Sequence, residues 1–261
     1  MGRLEGKRAL VLGAAGKGNM GQTIARRLAA EGARVAVAGR HLDALTELAA
    51  ETGGPALVCD IALKAEIDAM VADTVAALGG LDIALNATGW GLLSPFLDTT
   101  GEELDRMNVV HFRGPYQFFQ ASIRAMTGGG SIIQISSATA TILFHDHAAY
   151  MGTKAGIDHV IRAIADEFGA RGIRANSISP GLTDTPMNAA AKGIAGLFDA
   201  FVPSYPLGRY GTAEDIAAAA VWLASDECFM TGQNLQVNGG LTLRRNPNRD
   251  EIAAAIARAA G

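Results

Sequence analysis

The sequence predicts one large α/β domain, a doubly wound parallel sheet with helices on both faces. Three observations carry that prediction. Short β-type runs alternate with longer helical stretches from one end to the other. Most of the strand runs are apolar on both sides, as strands covered by two helix layers must be. Glycine is abundant (32 residues) and proline scarce (8), which suits many tight strand-to-helix turns. With 261 residues, 49% hydrophobic and 18% charged, the chain has material for a sizeable core. A disordered protein and a small stapled scaffold are excluded.

Taken in order, the strand-like runs are residues 8–12, 34–38, 56–59, 82–85, 131–135, 174–178 and 234–237. Between the first two, Ile24, Ala25 and Leu28 recur at helical spacing, with Arg26, Arg27 and Glu31 between them and Gly32 as the stop. No linker rich in Pro, Ser or charge divides the chain, so residues 1–261 read as a single domain. Two segments break the rhythm. Residues 186–209 are helical in composition but carry Gly193, Gly196, Pro203 and Pro206, and read as a mobile lid over the carboxyl ends of the strands. Residues 248–260 read as a short Ala-rich helical tail: a surface element, an oligomer contact, or a cover for a neighbouring active site.

The formal net charge of −4 comes without a charge block, which argues against a nucleic-acid partner. No apolar run approaches the ~18–20 residues of a membrane span, and the start lacks an apolar signal region. Cys59 and Cys228 sit in no CxxC or His cluster and read as two reduced core thiols. A cytoplasmic protein is the expectation.

Directly after the first strand comes Gly13-Ala-Ala-Gly-Lys17-Gly18-Asn19-Met20-Gly21. Glycines let the backbone approach a pyrophosphate, and the following helix amino terminus offers unpaired N–H groups and partial positive charge. Asn19 stands where a Walker A loop needs Lys, so a dinucleotide is the expected ligand. At the end of the second strand, Arg40 stands where an NAD-binding chain places a carboxylate. A guanidinium can fork onto a 2′-phosphate, with Lys17 as a second cation nearby. NADP(H) is therefore favoured, with NAD(H) possible. Asp60, ending the third strand, is expected on the adenine side, and Asn86, ending the fourth, in the ligand crevice. Asp and Asn also favour loop caps, and that reading stays open for both.

Ser137 and the run Tyr150-Met-Gly-Thr-Lys154 carry the chemistry. Tyr150 and Lys154 are four apart on a helix and share a face. Lowering a phenol from its usual pKa of about 10 to about 7 takes about 4 kcal/mol, more than one exposed cation supplies, so the site is expected to be partly desolvated. Ser137 is placed to hydrogen-bond the substrate oxygen, and Asn108 to hold a water that relays protons to Lys154. His145-Asp146-His147 is too sparse for a metal site. It reads as part of the substrate cleft or as solvent-facing. No metal is expected.

These motifs resemble the short-chain dehydrogenase/reductase family over residues 4–243, and in particular its 3-oxoacyl-(acyl-carrier-protein) reductase-like members. The resemblance implies a Rossmann fold and an Asn–Ser–Tyr–Lys tetrad at Asn108, Ser137, Tyr150 and Lys154. It places Asp60 and Ile61 at the adenine and Asn86 at the family's Asn-Asn-Ala-Gly turn. It maps Pro180, Gly181, Thr183 and Thr185 to the loop around the nicotinamide, and gives Lys154 the nicotinamide ribose as well. Departures are a glycine loop two residues longer than usual, Leu12 before it, and Asn86-Ala-Thr-Gly89. The longer loop is similar to that of enoyl-carrier-protein reductases, which space Tyr and Lys more widely. The implied function is interconversion of a ketone and a secondary alcohol, with a homotetramer or dimer as the assembly. The alternatives are an NAD-dependent alcohol dehydrogenase and a silent NADPH sensor. A sensor would be expected to lack Tyr150 or Lys154.

Overall fold

In the computed structural model, which describes residues 2–260, seven parallel strands form one sheet. They are β1 (Arg8–Leu12), β2 (Arg34–Gly39), β3 (Gly53–Val58), β4 (Ile83–Asn86), β5 (Gly130–Ile135), β6 (Ile173–Pro180) and, after two short strands described below, β9 (Asn234–Val237). Their order is β3-β2-β1-β4-β5-β6-β9. The chain thus starts in the middle, winds to one edge, and returns across β1 to wind to the other. The crevice where the winding reverses opens above β1 and β4.

Alternate residues of each strand feed two cores. Val11, Val35, Val37, Leu85 and Ile133 pack against helices α1 (Met20–Ala30), α2 (Leu42–Thr52) and α8 (Ala213–Ala224). Leu10, Leu12, Ala36, Ala84 and Ile132 face α3 (Lys64–Leu78), α5 (Gly114–Ala125) and α6 (Ala148–Phe168). The period of two along the strand makes both faces of the central strands largely apolar, while the edge strand β9 puts Asn234 and Gln236 on one side. β3 begins with Gly53, Gly54 and Pro55 and is tolerated there because it is the edge strand.

The expected helix after β1 starts at Met20, four residues before the first apolar residue of its pattern, Ile24, because Asn19 caps it. Asn19 Oδ1 accepts from Gln22 N at 2.9 Å, and Asn19 Nδ2 donates to Gly13 O at 2.9 Å. One side chain therefore closes both ends of the glycine loop.

Between α4 (Gly101–Asn108) and α5 the helix widens into a π-turn over Val109–Arg113. Pro115, second in α5, lacks the N–H that would bond four residues back, and the extra residue of the π-turn absorbs that gap.

The segment 186–209 is not one helix. It holds a 3₁₀ turn, the four-residue α7 (Ala189–Lys192) and a second 3₁₀ turn at Val202–Ser204. Its base is closed by a two-strand pair, β7 (Thr183–Asp184) with β8 (Gly211–Thr212). Phe201 and Tyr205 turn inward onto Ala138 and Leu241. The tail forms α9 (Arg249–Ala260) and lies on this segment of its own chain. Ile252 joins the Phe201–Tyr205 cluster, and a Cβ on Gly196 would lie 2.4 Å from Ala255 O.

Candidate active site

The carboxyl ends of β1, β4, β5 and β6 surround one cavity of about 390 Å³. Its floor is glycine for steric reasons. Gly13 has φ +101° and a Cβ there would sit 2.6 Å from the Ala87 carbonyl carbon; a Cβ on Gly21 would sit 2.5 Å from Gly13 O. That close packing brings the α1 amino terminus up to the cavity, a cradle suited to a pyrophosphate.

Of the residues expected at the cofactor, Gly13, Asn19, Met20, Arg40, Asp60, Ile61, Pro180, Gly181, Thr183 and Thr185 all line this cavity. Arg40 is exposed at its rim and forms no ion pair among the described residues. Lys17 is exposed and stands off the cavity wall. Gly18 borders a separate shallow cleft between the glycine loop and Thr185–Gly193. Asp60 also closes its own loop, with Oδ1 accepting from Ala62 N at 2.9 Å.

Asn86 is fully buried and does not line the cavity. Its Nδ2 donates to Gln134 Oε1 at 2.9 Å, while Oδ1 accepts from Thr88 N at 3.1 Å and from Thr88 Oγ1 at 2.8 Å. It shapes the Ala87-Thr88-Gly89 turn, and those three residues form the wall instead.

Ser137, Tyr150 and Lys154 all line the same cavity, and the Ser137 and Tyr150 hydroxyls meet. Ser137 Oγ shares a 2.8 Å hydrogen bond with Thr139 Oγ1. Lys154 is only 2% exposed; its Nζ donates to Ile135 O at 2.8 Å and lies 5.5 Å from the centre of the Tyr150 ring. Burial pulls the ammonium down to about 8, partly offset by the Asp158 carboxylate one turn further along α6. Burial pushes the phenol up to about 12; the Ser137 hydroxyl opposes this and the Asp158 charge adds to it. Desolvation thus acts on this phenol more strongly than its hydrogen bond to Ser137 does. Asp158 is itself raised by burial and accepts from Ser136 Oγ at 2.8 Å and Asn234 Nδ2 at 2.6 Å.

A family model described as "Enoyl-(Acyl carrier protein) reductase" matches residues 13–242. A solved short-chain type dehydrogenase/reductase from Mycobacterium ulcerans superposes with a TM-score of 0.89 at 32% identity, covering 97% of this chain and 98% of that one. The chain belongs to the short-chain dehydrogenase/reductase family. Among its curated relatives, D-threitol dehydrogenase of Mycolicibacterium smegmatis is 37% identical over 252 residues, 93% of this chain and 95% of that protein. Glucose 1-dehydrogenase of Gluconobacter oxydans is 33% identical over 251 residues, 92% and 94% of the two chains. This short-chain dehydrogenase/reductase is accordingly an oxidoreductase acting on alcohol and ketone substrates with a nicotinamide dinucleotide.

The structure does not bring Asn108 to the site. Asn108 ends α4 exposed, off the cavity, and its side chain makes no capping bond. His111, three residues on and inside the π-turn, is the buried residue against Tyr150. The sequence reading singled out Asn108 and passed over His111; Gly114-Pro115 was the signal of an irregularity in this stretch. Asn108→Ala is expected to leave kcat within about twofold and stability within about 0.5 kcal/mol, as for surface positions without a special contact. Steady-state kinetics and a melting curve check this; a tenfold loss of kcat would return Asn108 to the reaction.

Other wall residues that the sequence did not flag are Ser136, Arg106, Val110 and Met187. The Arg106 guanidinium lies 3.8 Å over the Trp90 ring. His145 is exposed, and no cluster fit to hold a metal ion occurs among the described residues.

Proposed function

We propose that this chain interconverts a ketone and a secondary alcohol using NADP(H), with Tyr150 as the proton-transfer group. The observation that carries the reading is the meeting of Ser137, Tyr150 and Lys154 in the same cavity as the glycine cradle. When bound, the dinucleotide supplies or accepts the hydride at the substrate carbon. Ser137 Oγ is the donor that holds and polarises the carbonyl oxygen. Tyr150 gives that oxygen its proton in reduction and takes it back in oxidation. Lys154, oriented by Ile135 O, supplies the charge that makes the phenolate reachable and a hydrogen-bond donor for the ribose. The turn 87–89 and Thr183 to Thr185 wall the nicotinamide end.

The preference for NADP(H) rests on Arg40, a cation at the end of β2 with no carboxylate bound to it among the described residues. Arg40→Asp removes a charge-assisted fork and adds repulsion, so the NADPH/NADH ratio of kcat/KM is expected to fall about 10–100-fold. An unchanged ratio would mean that Arg40 does not read the 2′-phosphate. NADPH and NADH turnover measured at 340 nm across polyols, aldoses, ketoses and cyclic ketones tests the reaction itself and narrows the substrate. The names of the relatives put polyols and sugars first in that panel. A reducing, cytoplasmic setting agrees with Cys59 and Cys228, both buried and unpaired. A homo-oligomer agrees with the exposed Leu104, Phe112 and Tyr116 on α4, the π-turn and α5.

A further inference from the structure

Two histidines enclose the ring of Tyr150. His147 stacks on it with centroids 4.3 Å apart and planes at 28°, and His111 meets it edge-on at 5.1 Å and 69°. Both imidazoles also hold the backbone of the same segment, the irregular stretch from Thr88 to Ser94 that leaves β4. His111 Nε2 lies 3.0 Å from Trp90 N and 2.9 Å from Trp90 O, so either neutral tautomer finds a partner there. His147 Nδ1 is 2.6 Å from Leu92 O. A third tie follows at the next alternate residue, where Ser94 N donates to Asp146 O at 2.7 Å.

The spacing is that of an extended strap fastened at residues 90, 92 and 94, every second position. Its backbone groups belong to no sheet, so they need other partners where they are buried. The partners come from two elements that border the ring of Tyr150: the π-turn carries His111, and the residues just before α6 include Asp146 and His147. Asp146 adopts φ 58°, the left-handed region, which an aspartate tolerates better than most residues. That kink leads directly into His147. Both rings are kept neutral: burial and the Lys154 charge take His111 down to about 3, and burial lowers His147. A neutral ring can lie against Tyr150 without adding a second cation beside Lys154.

We infer that His111 and His147 are positioning residues that lock the 88–94 strap to the ring of Tyr150, so that this wall of the cleft and the proton donor hold one fixed geometry. The inference rests on the reading of Tyr150 as the proton donor. His111 thereby has a task different from the water relay expected at Asn108: it acts through Tyr150 and Trp90.

The experiment follows hydrogen exchange at the Trp90 amide together with kcat, KM and dinucleotide affinity. In His111→Phe the ring remains and the Trp90 bond is lost. Trp90 exchange is expected to quicken about tenfold and kcat to fall about tenfold, with dinucleotide affinity unchanged. In His111→Asn the amide oxygen can accept the same N–H, so most of the protection and most of kcat are expected to return. His147→Phe keeps the stacked ring and releases Leu92, so exchange should rise from Leu92 onward with a smaller loss of kcat. The double variant should lose less than the product of the single losses, because both act on one strap. A folded His111→Phe protein with wild-type Trp90 exchange would overturn the lock. Faster exchange with wild-type kcat would overturn the positioning role. Should His111→Phe not fold, His111→Asn against His111→Gln decides on the same readouts, and equal kcat despite unequal Trp90 protection overturns the inference. A turnover-competent Tyr150→Phe would instead remove the proton-donor reading while leaving the exchange results standing.

Discussion

Tyr150→Phe is expected to lose about 10²–10⁴-fold in kcat, the usual contribution of a placed general acid, while binding the dinucleotide as the wild type does. The split follows from the geometry. The substitution removes one hydroxyl, leaves the ring between His111 and His147, and leaves Lys154 on Ile135 O. Nothing that lines the glycine cradle changes. Turnover at saturating cofactor gives the first quantity and a fluorescence titration the second. Near-normal kcat would refute the assignment of the proton to this phenol.

Lys154→Met is expected to abolish turnover to a similar extent and to make the fold more stable. A lysine whose pKa falls from 10.5 to about 8 on folding carries about 3 kcal/mol of burial cost at neutral pH. Methionine has similar length and no charge to desolvate. Ile135 O does not go unpaired, because Gln134 Nε2 also donates to it at 2.6 Å. Asp158 loses a favourable charge and cancels part of the gain. A net increase of about 1–2 kcal/mol remains, or about 2–8 °C in Tm for a chain of this size. The pH dependence has a definite sign. Between about 8 and 10.5 the unfolded chain binds a proton that the folded protein does not, so the wild type gains stability as pH rises through that window. The advantage of the variant is full below about 8 and disappears above 10.5. Denaturant curves at pH 7 and pH 10.5 check both ends; a variant less stable than wild type at pH 7 would show that the buried ammonium costs the fold nothing.

The sheet was legible in the sequence because a strand covered on both faces is a short, mostly apolar run set between longer helical stretches, and most of the seven runs have that form. Tyr150 and Lys154 were legible for a similar reason: one regular helix puts positions four apart on one face. Legibility failed where local geometry departs from a regular period. The sequence singled out Asn108, whereas the buried residue is His111 inside the π-turn, and the hydrophobic pattern does not record a widened turn. β7 and β8 are two residues each, too short for any periodic signal. Asn86 was rightly located at the end of β4, but whether its amide faces the crevice or the interior depends on Gln134 in β5, a pairing set by sheet order. Residues 186–209 have the composition of a helix, yet their folding follows from Phe201 and Tyr205 packing on distant parts of the chain.

The short pairing of Thr183–Asp184 with Gly211–Thr212 separates two tasks within one polypeptide. It acts as a clasp across the root of everything between, and Thr212 at the same time caps α8 through Asp215, so the root is moored to the scaffold. The stretch above the clasp is held separately, through Phe201 and Tyr205 on Ala138 and Leu241, so Thr183 has its own mooring. A change of length above the clasp is thereby kept from Thr183, whereas Thr185 and Met187, inside it and on the cavity wall, move with it.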